Sequence, residues 1–178
     1  LSLALESIDR MLQKFTPQWL EQPTTPPEDG EEPEVPFQMA VSENNAQFLQ
    51  QILEFYDQFA EENAANPDLR FATAKASSRI GQIRRRLGQP EQAEQAYRRA
   101  LQLFAEMPDD FDKHETLTIE TAIAQRELGL ALQMDLRRDQ AEDMLLLALK
   151  TLHPSGSGEP SRKARLEEAR TRHELGTL

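Results

Sequence analysis

Apolar residues recur at helical spacing along almost the whole chain from Ser42 onward. One stripe runs through Phe48, Leu49, Ile52, Leu53, Tyr56, Phe59 and Ala60. Turn and cap residues then divide the chain into further predicted helices, which span about 67–87, 90–107, 115–134, 138–152 and 161–178. No run alternates β-branched and polar residues convincingly, so the pattern predicts an all-α fold.

The first 41 residues follow a different pattern. Residues 2–15 predict a short amphipathic helix, whereas residues 16–41 contain six prolines and six acidic residues with no basic residue. Such a composition is typical of an extended, solvated linker. The predicted organisation is therefore an N-terminal helix at 1–15, an acidic proline-rich linker at 16–41 and a helical domain at 42–178.

Three glycines recur at intervals of 48 and 47 residues: Gly81, Gly129 and Gly176. Small or bulky residues follow the first two glycines in the same register, namely Ala93, Tyr97 and Ala100 after the first and Ala141, Leu145 and Ala148 after the second. A fixed period of this length indicates a helical repeat, and stacked repeats present concave binding surfaces. The small residues predict close packing of two helices within each unit.

The segment from Ile80 to Ala100 resembles a tetratricopeptide repeat, which is a helix pair with a small residue on the first helix and alanines and an aromatic on the second. The resemblance implies antiparallel helix pairs stacked as a right-handed superhelix. Two features depart from that family. The period is longer than the usual period of about 34 residues, so we expect long first helices, and Ser77, Gln125 and Arg172 replace the expected early aromatic.

Residues 48–106 carry a narrower resemblance. The string from Phe55 to Asn63, followed by Pro67, Leu69 and Arg70, is similar to the repeat region after the kinase domain in planctomycete-type bacterial serine/threonine protein kinases. The resemblance implies a cytoplasmic, non-catalytic interaction segment of a kinase-related protein. Since the chain begins with Leu1 rather than Met and stops just after the third glycine, we expect a fragment with a truncated third unit.

Little in the sequence indicates catalysis, a metal or a cofactor. Cysteine is absent, and no kinase phosphate loop or catalytic string is present. The three histidines are scattered, the acidic run at 109–112 lacks the glycine of a calcium loop, and the glycines at 156 and 158 follow no strand. We therefore expect a protein that is not an enzyme, and a helical-bundle enzyme is the weaker alternative.

The net charge of −11 is confined to the first part of the chain. Residues 1–66 contain 13 acidic and 2 basic residues, whereas residues 67–178 contain 18 of each. No broad basic face for nucleic acid is expected, because such binding depends on phosphate neutralisation. No apolar run is long enough to cross a membrane, and no signal segment is evident.

The glycine register also predicts which residues line the concave face of the first helices. The polar candidates for partner binding are Lys75, Gln82, Arg85, Arg126, Gln133, Arg170 and His173. Arginine pairs with carboxylates, so this face suits an acidic peptide. Three alternatives remain open: a solvated face with local Glu–Arg pairs, a groove covered by the acidic spacer at 21–34, and homodimerisation through residues 161–178 or 46–60.

Overall fold

The computed structural model of the chain describes residues 43–63, 66, 69–108, 114–153 and 159–178. These residues form helices and no strand, which confirms the predicted all-α class for this part of the chain. The helices are α1 (Glu43–Glu62), α2 (Arg70–Arg86), α3 (Pro90–Ala105), α4 (His114–Met134), α5 (Arg138–Leu152) and α6 (Arg162–Gly176). The predicted helix at 2–15, the predicted linker at 16–41, the acidic run at 109–112 and the glycines at 156 and 158 lie outside the described residues.

The chain divides into two units, Leu1–Asn45 and Ala46–Leu178. In the second unit, neighbouring helices along the chain pack on one another, most extensively α2 on α3 and α4 on α5. Helix α4 also contacts α2 and α6 directly. The three helices that carry the recurring glycines therefore lie next to one another, with α4 in the middle.

Helix α1 contacts the first of these pairs through polar groups at its C-terminal end. Arg84 of α2 lies 3.1 Å from the Asp57 carboxylate, and Arg99 of α3 donates a hydrogen bond of 3.1 Å to the carbonyl oxygen of Ala60. Tyr56 and Ala60 are almost completely buried. The apolar stripe predicted for this helix is therefore covered along its described part.

Local signals fix the end of α2 and the start of α6. Gly88 has φ of 73°, and Gln89 donates to the Arg84 carbonyl oxygen at 2.9 Å, so α2 ends in a left-handed glycine turn. The Ser161 hydroxyl accepts a hydrogen bond of 3.2 Å from the Ala164 amide and caps α6.

Helix α2 begins at Arg70, slightly later than the sequence pattern predicts. Leu69 donates to the Asn66 carbonyl oxygen at 3.2 Å, which closes a turn tighter than an α-helical one just before the helix. The expected lengthening of the first helix is clear in the second unit only: α4 has 21 residues against 15 in α5, whereas α2 has 17 against 16 in α3.

The core follows the glycine register. A Cβ placed on Gly81 would lie 2.7 Å from the Tyr97 ring, and one on Gly129 would lie 3.1 Å from the Ala141 carbonyl oxygen and the Leu145 side chain. One buried cluster then joins α3, α4 and α5 through Ala93, Tyr97, Leu128, Ala131, Leu132 and Ala141. Ala100 and Ala148 are also fully buried. The second helix of each pair thus approaches the first closely because a side chain is missing.

Candidate functional site

Three of the arginines predicted to line the concave face meet two glutamates. Arg85 of α2 lies 2.9 Å from Glu127 of α4, and Arg126 lies 2.8 Å from the other oxygen of the same carboxylate. Arg126 also lies 3.6 Å from Glu167 of α6, whose second oxygen is 2.6 Å from Arg170. These five residues form the arginine–glutamate cluster, which connects the three glycine-bearing helices.

The middle of the arginine–glutamate cluster is removed from solvent. Arg126, Glu127 and Glu167 are exposed by 9, 6 and 5 % respectively. Burying a charge is costly unless an opposite charge compensates it. The ion pairs between helices therefore hold α2, α4 and α6 in one register.

Electrostatics keep Glu127 ionised. Burial alone would raise the pKa of Glu127, but the guanidinium groups of Arg126 and Arg85 outweigh this effect and the net pKa lies below its ordinary value. Burial likewise opposes the charged form of Arg85, and the carboxylate of Glu127 raises the pKa of Arg85 overall. The pair consequently remains charged at neutral pH.

Tyr97 connects the glycine packing to this cluster. Its ring lies against Gly81, while its hydroxyl donates a long hydrogen bond of 3.4 Å to Glu127. Burial raises the pKa of Tyr97 well above its ordinary value, and the negative charge of Glu127 acts in the same direction. The tyrosine is thus a neutral donor that couples α3 to the charged faces of α2 and α4.

Arg86 adds a positive charge beside the arginine–glutamate cluster and forms no ion pair with it. Burial lowers the pKa of Arg86, and Glu127 opposes this effect while the like charge of Arg85 reinforces it. The part of the chain that the structure describes contains no hydrogen bond or ion pair to Arg86 within 4.0 Å. Together with this residue, four arginines face two glutamates, so a surplus of positive charge remains.

The other predicted binding residues are less closely connected. Gln82 accepts a hydrogen bond of 2.8 Å from Arg79 on its own helix. Lys75 and Gln133 are half-buried, and Lys75 has an interaction of its own, whereas His173 is exposed. The structure therefore brings Arg85, Arg126 and Arg170 together, while Lys75, Gln82, Gln133 and His173 lie on the same three helices.

Sequence reasoning missed the acidic members of the site, Glu127 and Glu167, and the unneutralised Arg86. The pairing of Glu167 with Arg170 is a local one within a helix, but Glu167 is buried, whereas the open alternative of local Glu–Arg pairs expected a solvated face. The contacts from Arg85 to Glu127 and from Arg126 to Glu167 instead join different helices. The adjacent residues Arg126 and Glu127, just before a repeat glycine, were the available signal.

A separate cleft of about 280 Å³ lies among α1, α2 and α3. Its lining is mostly polar and includes Asp57, Ser77, Arg84, Gln92, Gln95 and Arg99. The pair of Arg84 and Asp57 occupies one of its walls.

No group of three acidic or histidine side chains suited to a metal ion occurs within the described ranges. None of the helices described is both long and apolar enough to span a membrane. Comparison with protein-family models, with curated proteins and with solved structures finds no match. The case for a function therefore rests on the chain's own residues.

Proposed function

We propose that this chain is a non-catalytic scaffold that binds acidic segments of partner proteins on the face shared by α2, α4 and α6. The observation that carries the proposal is the surplus of positive charge around the arginine–glutamate cluster. The partly desolvated guanidinium of Arg86, which forms no ion pair within the described residues, is stabilised when a carboxylate approaches it.

The arrangement of helices supports the same proposal. Close pairing at Gly81 and Gly129, with α4 in contact with both α2 and α6, is what a stack of tetratricopeptide-like units requires. We accordingly extend the proposal to a superhelix whose concave side is formed by the first helices. Stacked repeats of this kind bind extended partners along their inner surface.

The arginine–glutamate cluster limits what the partner can contact. Arg126 is buried and compensated by Glu127 and Glu167, so its role in the proposal is to position helices rather than to bind. Arg86, Arg85 and the exposed Arg170 are the groups that can reach a carboxylate. The proposed binding site therefore contains fewer basic residues than the sequence pattern suggests.

The test compares binding of short acidic peptides with binding of the same peptides carrying Asn and Gln in place of Asp and Glu. The chain should prefer the acidic set, and Arg86→Gln should weaken that binding by about tenfold, the equivalent of roughly 1.4 kcal/mol. Arg138→Gln is the matched control, because Arg138 is an exposed arginine on α5 outside the site. Equal affinity for both peptide sets would overturn the proposal.

We also propose, from the resemblance of residues 48–106 alone, that the scaffold is the cytoplasmic interaction segment of a bacterial kinase-related protein. The presence of a protein kinase domain in the same polypeptide tests this context. The proposal for the acidic partner does not depend on it.

A further inference from the structure

The face of α6 formed by Leu166, Ala169, Arg172 and Gly176 differs from its counterparts on α2 and α4. Leu166 is 50 % exposed, and the other three residues are also exposed. Apart from Gly176 itself, its two chain neighbours and the nearby backbone of α6, no atom lies within 4 Å of the position that a Gly176 side chain would occupy. These four residues are called the open face.

The repeat register identifies what covers this surface in the second unit. Counting back 47 residues from the open face gives Ile119, Ala122, Gln125 and Gly129 on α4, all of which are buried. Ile119 and Ala122 pack in one cluster with Leu152 of α5 and Ala164 of α6, and Gly129 lies against Ala141 and Leu145 of α5. Helix α5 therefore covers the surface of α4 that corresponds to the open face.

The first unit has the same arrangement. Ala74, Ser77 and Gly81 of α2 are buried, and Gly81 faces the Tyr97 ring of α3. Both covering helices carry the same pattern of a small residue, a bulky residue four positions later and a small residue three positions after that. In α3 these residues are Ala93, Tyr97 and Ala100, and in α5 they are Ala141, Leu145 and Ala148.

We infer that the open face is a docking site for one amphipathic α-helix of this pattern, which a partner protein supplies and which runs antiparallel to α6. The site continues the interface that α4 forms with α5, so the occupant is specified by the same chemistry. Its small residues would allow close approach, and its bulky residue would fill the space above Gly176 as Leu145 fills the space above Gly129. This site is independent of the acidic-peptide proposal.

The empty space at Gly176 allows a sharp test. A side chain added there meets nothing in the chain alone, so Gly176→Leu should fold with an unfolding midpoint no lower than that of the unaltered protein. The same side chain would occupy the space that the docking helix needs. Ala169→Arg blocks the opposite end of the open face, and Ala105→Leu on α3 is the control, since Ala105 is an exposed small residue elsewhere.

The probe is a fluorescein-labelled peptide with the sequence of α5, residues 138–152, followed by anisotropy. A second peptide with Gln at the positions of Ala141, Leu145 and Ala148 keeps the charges but loses the pattern. We expect binding of the first peptide only, with affinity at least tenfold lower for Gly176→Leu and Ala169→Arg and unchanged for Ala105→Leu. Equal binding by all variants overturns the inference.

A further outcome would assign the surface to a different occupant. If light scattering shows a dimer of the unaltered chain, and Ala169→Arg makes it monomeric, a second copy covers the open face and the inference is wrong. A monomer at all concentrations, combined with selective peptide binding, supports it. Protection of α6 amides from hydrogen exchange on addition of the peptide would locate the binding on this helix.

Discussion

Gly81 on α2 lies so close to Tyr97 on α3 that a single added carbon atom would come within 2.7 Å of the aromatic ring. Real Cβ atoms do not approach a neighbour at that distance, and the ring is fully buried, so it cannot turn away. The glycine therefore sets the separation of the two helices. Gly129 and Gly176 have different surroundings, so the space available for an added side chain differs among the three glycines.

The series predicts three different effects of the same substitution. Gly81→Ala should destabilise the protein by about 1–3 kcal/mol, because overpacking outweighs the gain in helix propensity. Gly129→Ala should cost less, since its nearest neighbours lie at 3.1 Å, and Gly176→Ala should be neutral or stabilise by up to about 1 kcal/mol. Urea unfolding measures all three, and an unchanged free energy for Gly81→Ala would contradict the packing argument.

Removal of the Leu136 side chain should stabilise the protein. Leu136 occupies the position that Gly88 has in the first unit, with φ of 60°, and its side chain is 89 % exposed. The bonds around it are equivalent too, since Arg137 donates to Leu132 as Gln89 does to Arg84, at 2.9 Å in both cases. A left-handed conformation costs a residue with a side chain about 1–2 kcal/mol.

We therefore expect Leu136→Gly to stabilise the protein by about 1 kcal/mol and Gly88→Ala to destabilise it by a similar amount. Thermal and urea unfolding of the two variants measure the effect. The two changes should be additive, because they lie in different turns. A loss of stability in Leu136→Gly would show that the exposed leucine makes contacts that offset its strained backbone.

The ionisation of Glu127 should make the stability of the folded protein depend on pH. The pKa of Glu127 in the folded protein lies below its ordinary value of 4.5, so folding is favoured by the ionised form. The stabilisation is complete above the unfolded pKa and is lost as the pH falls through the folded pKa. Unfolding free energy measured by urea titration at a series of acidic pH values should therefore decrease below pH 4.5.

Glu127→Gln separates this residue from the other acids. The variant leaves Arg126 buried beside an uncharged amide, so we expect a loss of about 3 kcal/mol near neutral pH. Its free energy of unfolding should also decline less steeply in acid than that of the unaltered protein. Glu142→Gln, at an exposed position on α5, is the control and should leave both quantities unchanged. Parallel pH profiles for all three proteins would contradict the assignment.

The sequence predicted those features that depend on neighbouring residues. The end of α2 at Gly88, the span of α5 and the cap at Ser161 all follow from local turn chemistry, which acts within a few residues. The close approach to Gly81 also followed, because a glycine inside a helix needs a reason for its cost in stability. Leu136 was not predicted, since its residue type disfavours the conformation that it adopts.

The candidate site was harder to predict because its contacts join distant residues. The register placed Arg85, Arg126 and Arg170 on one face, but the pairing of Arg85 with Glu127 depends on how α2 and α4 are rotated against each other. That rotation depends on packing between residues that are far apart in the sequence. Three residues of the predicted basic face consequently lie in the partly buried arginine–glutamate cluster, and Arg86 lies beside it without an ion pair.

Substitution of Ser161 tests how α6, the third of the glycine-bearing helices, is held against the other two. The Ser161 hydroxyl is the cap of α6, which carries both Glu167 and Arg170, so fraying of the first turn would loosen the α6 end of the arginine–glutamate cluster. Ser161→Ala should cost about 1 kcal/mol and speed hydrogen exchange of amides in the first turn of α6. Ser161→Asp keeps an acceptor and should exchange as slowly as the unaltered protein. If exchange in α6 is the same in all three proteins, the ion pairs rather than the cap hold this helix in place.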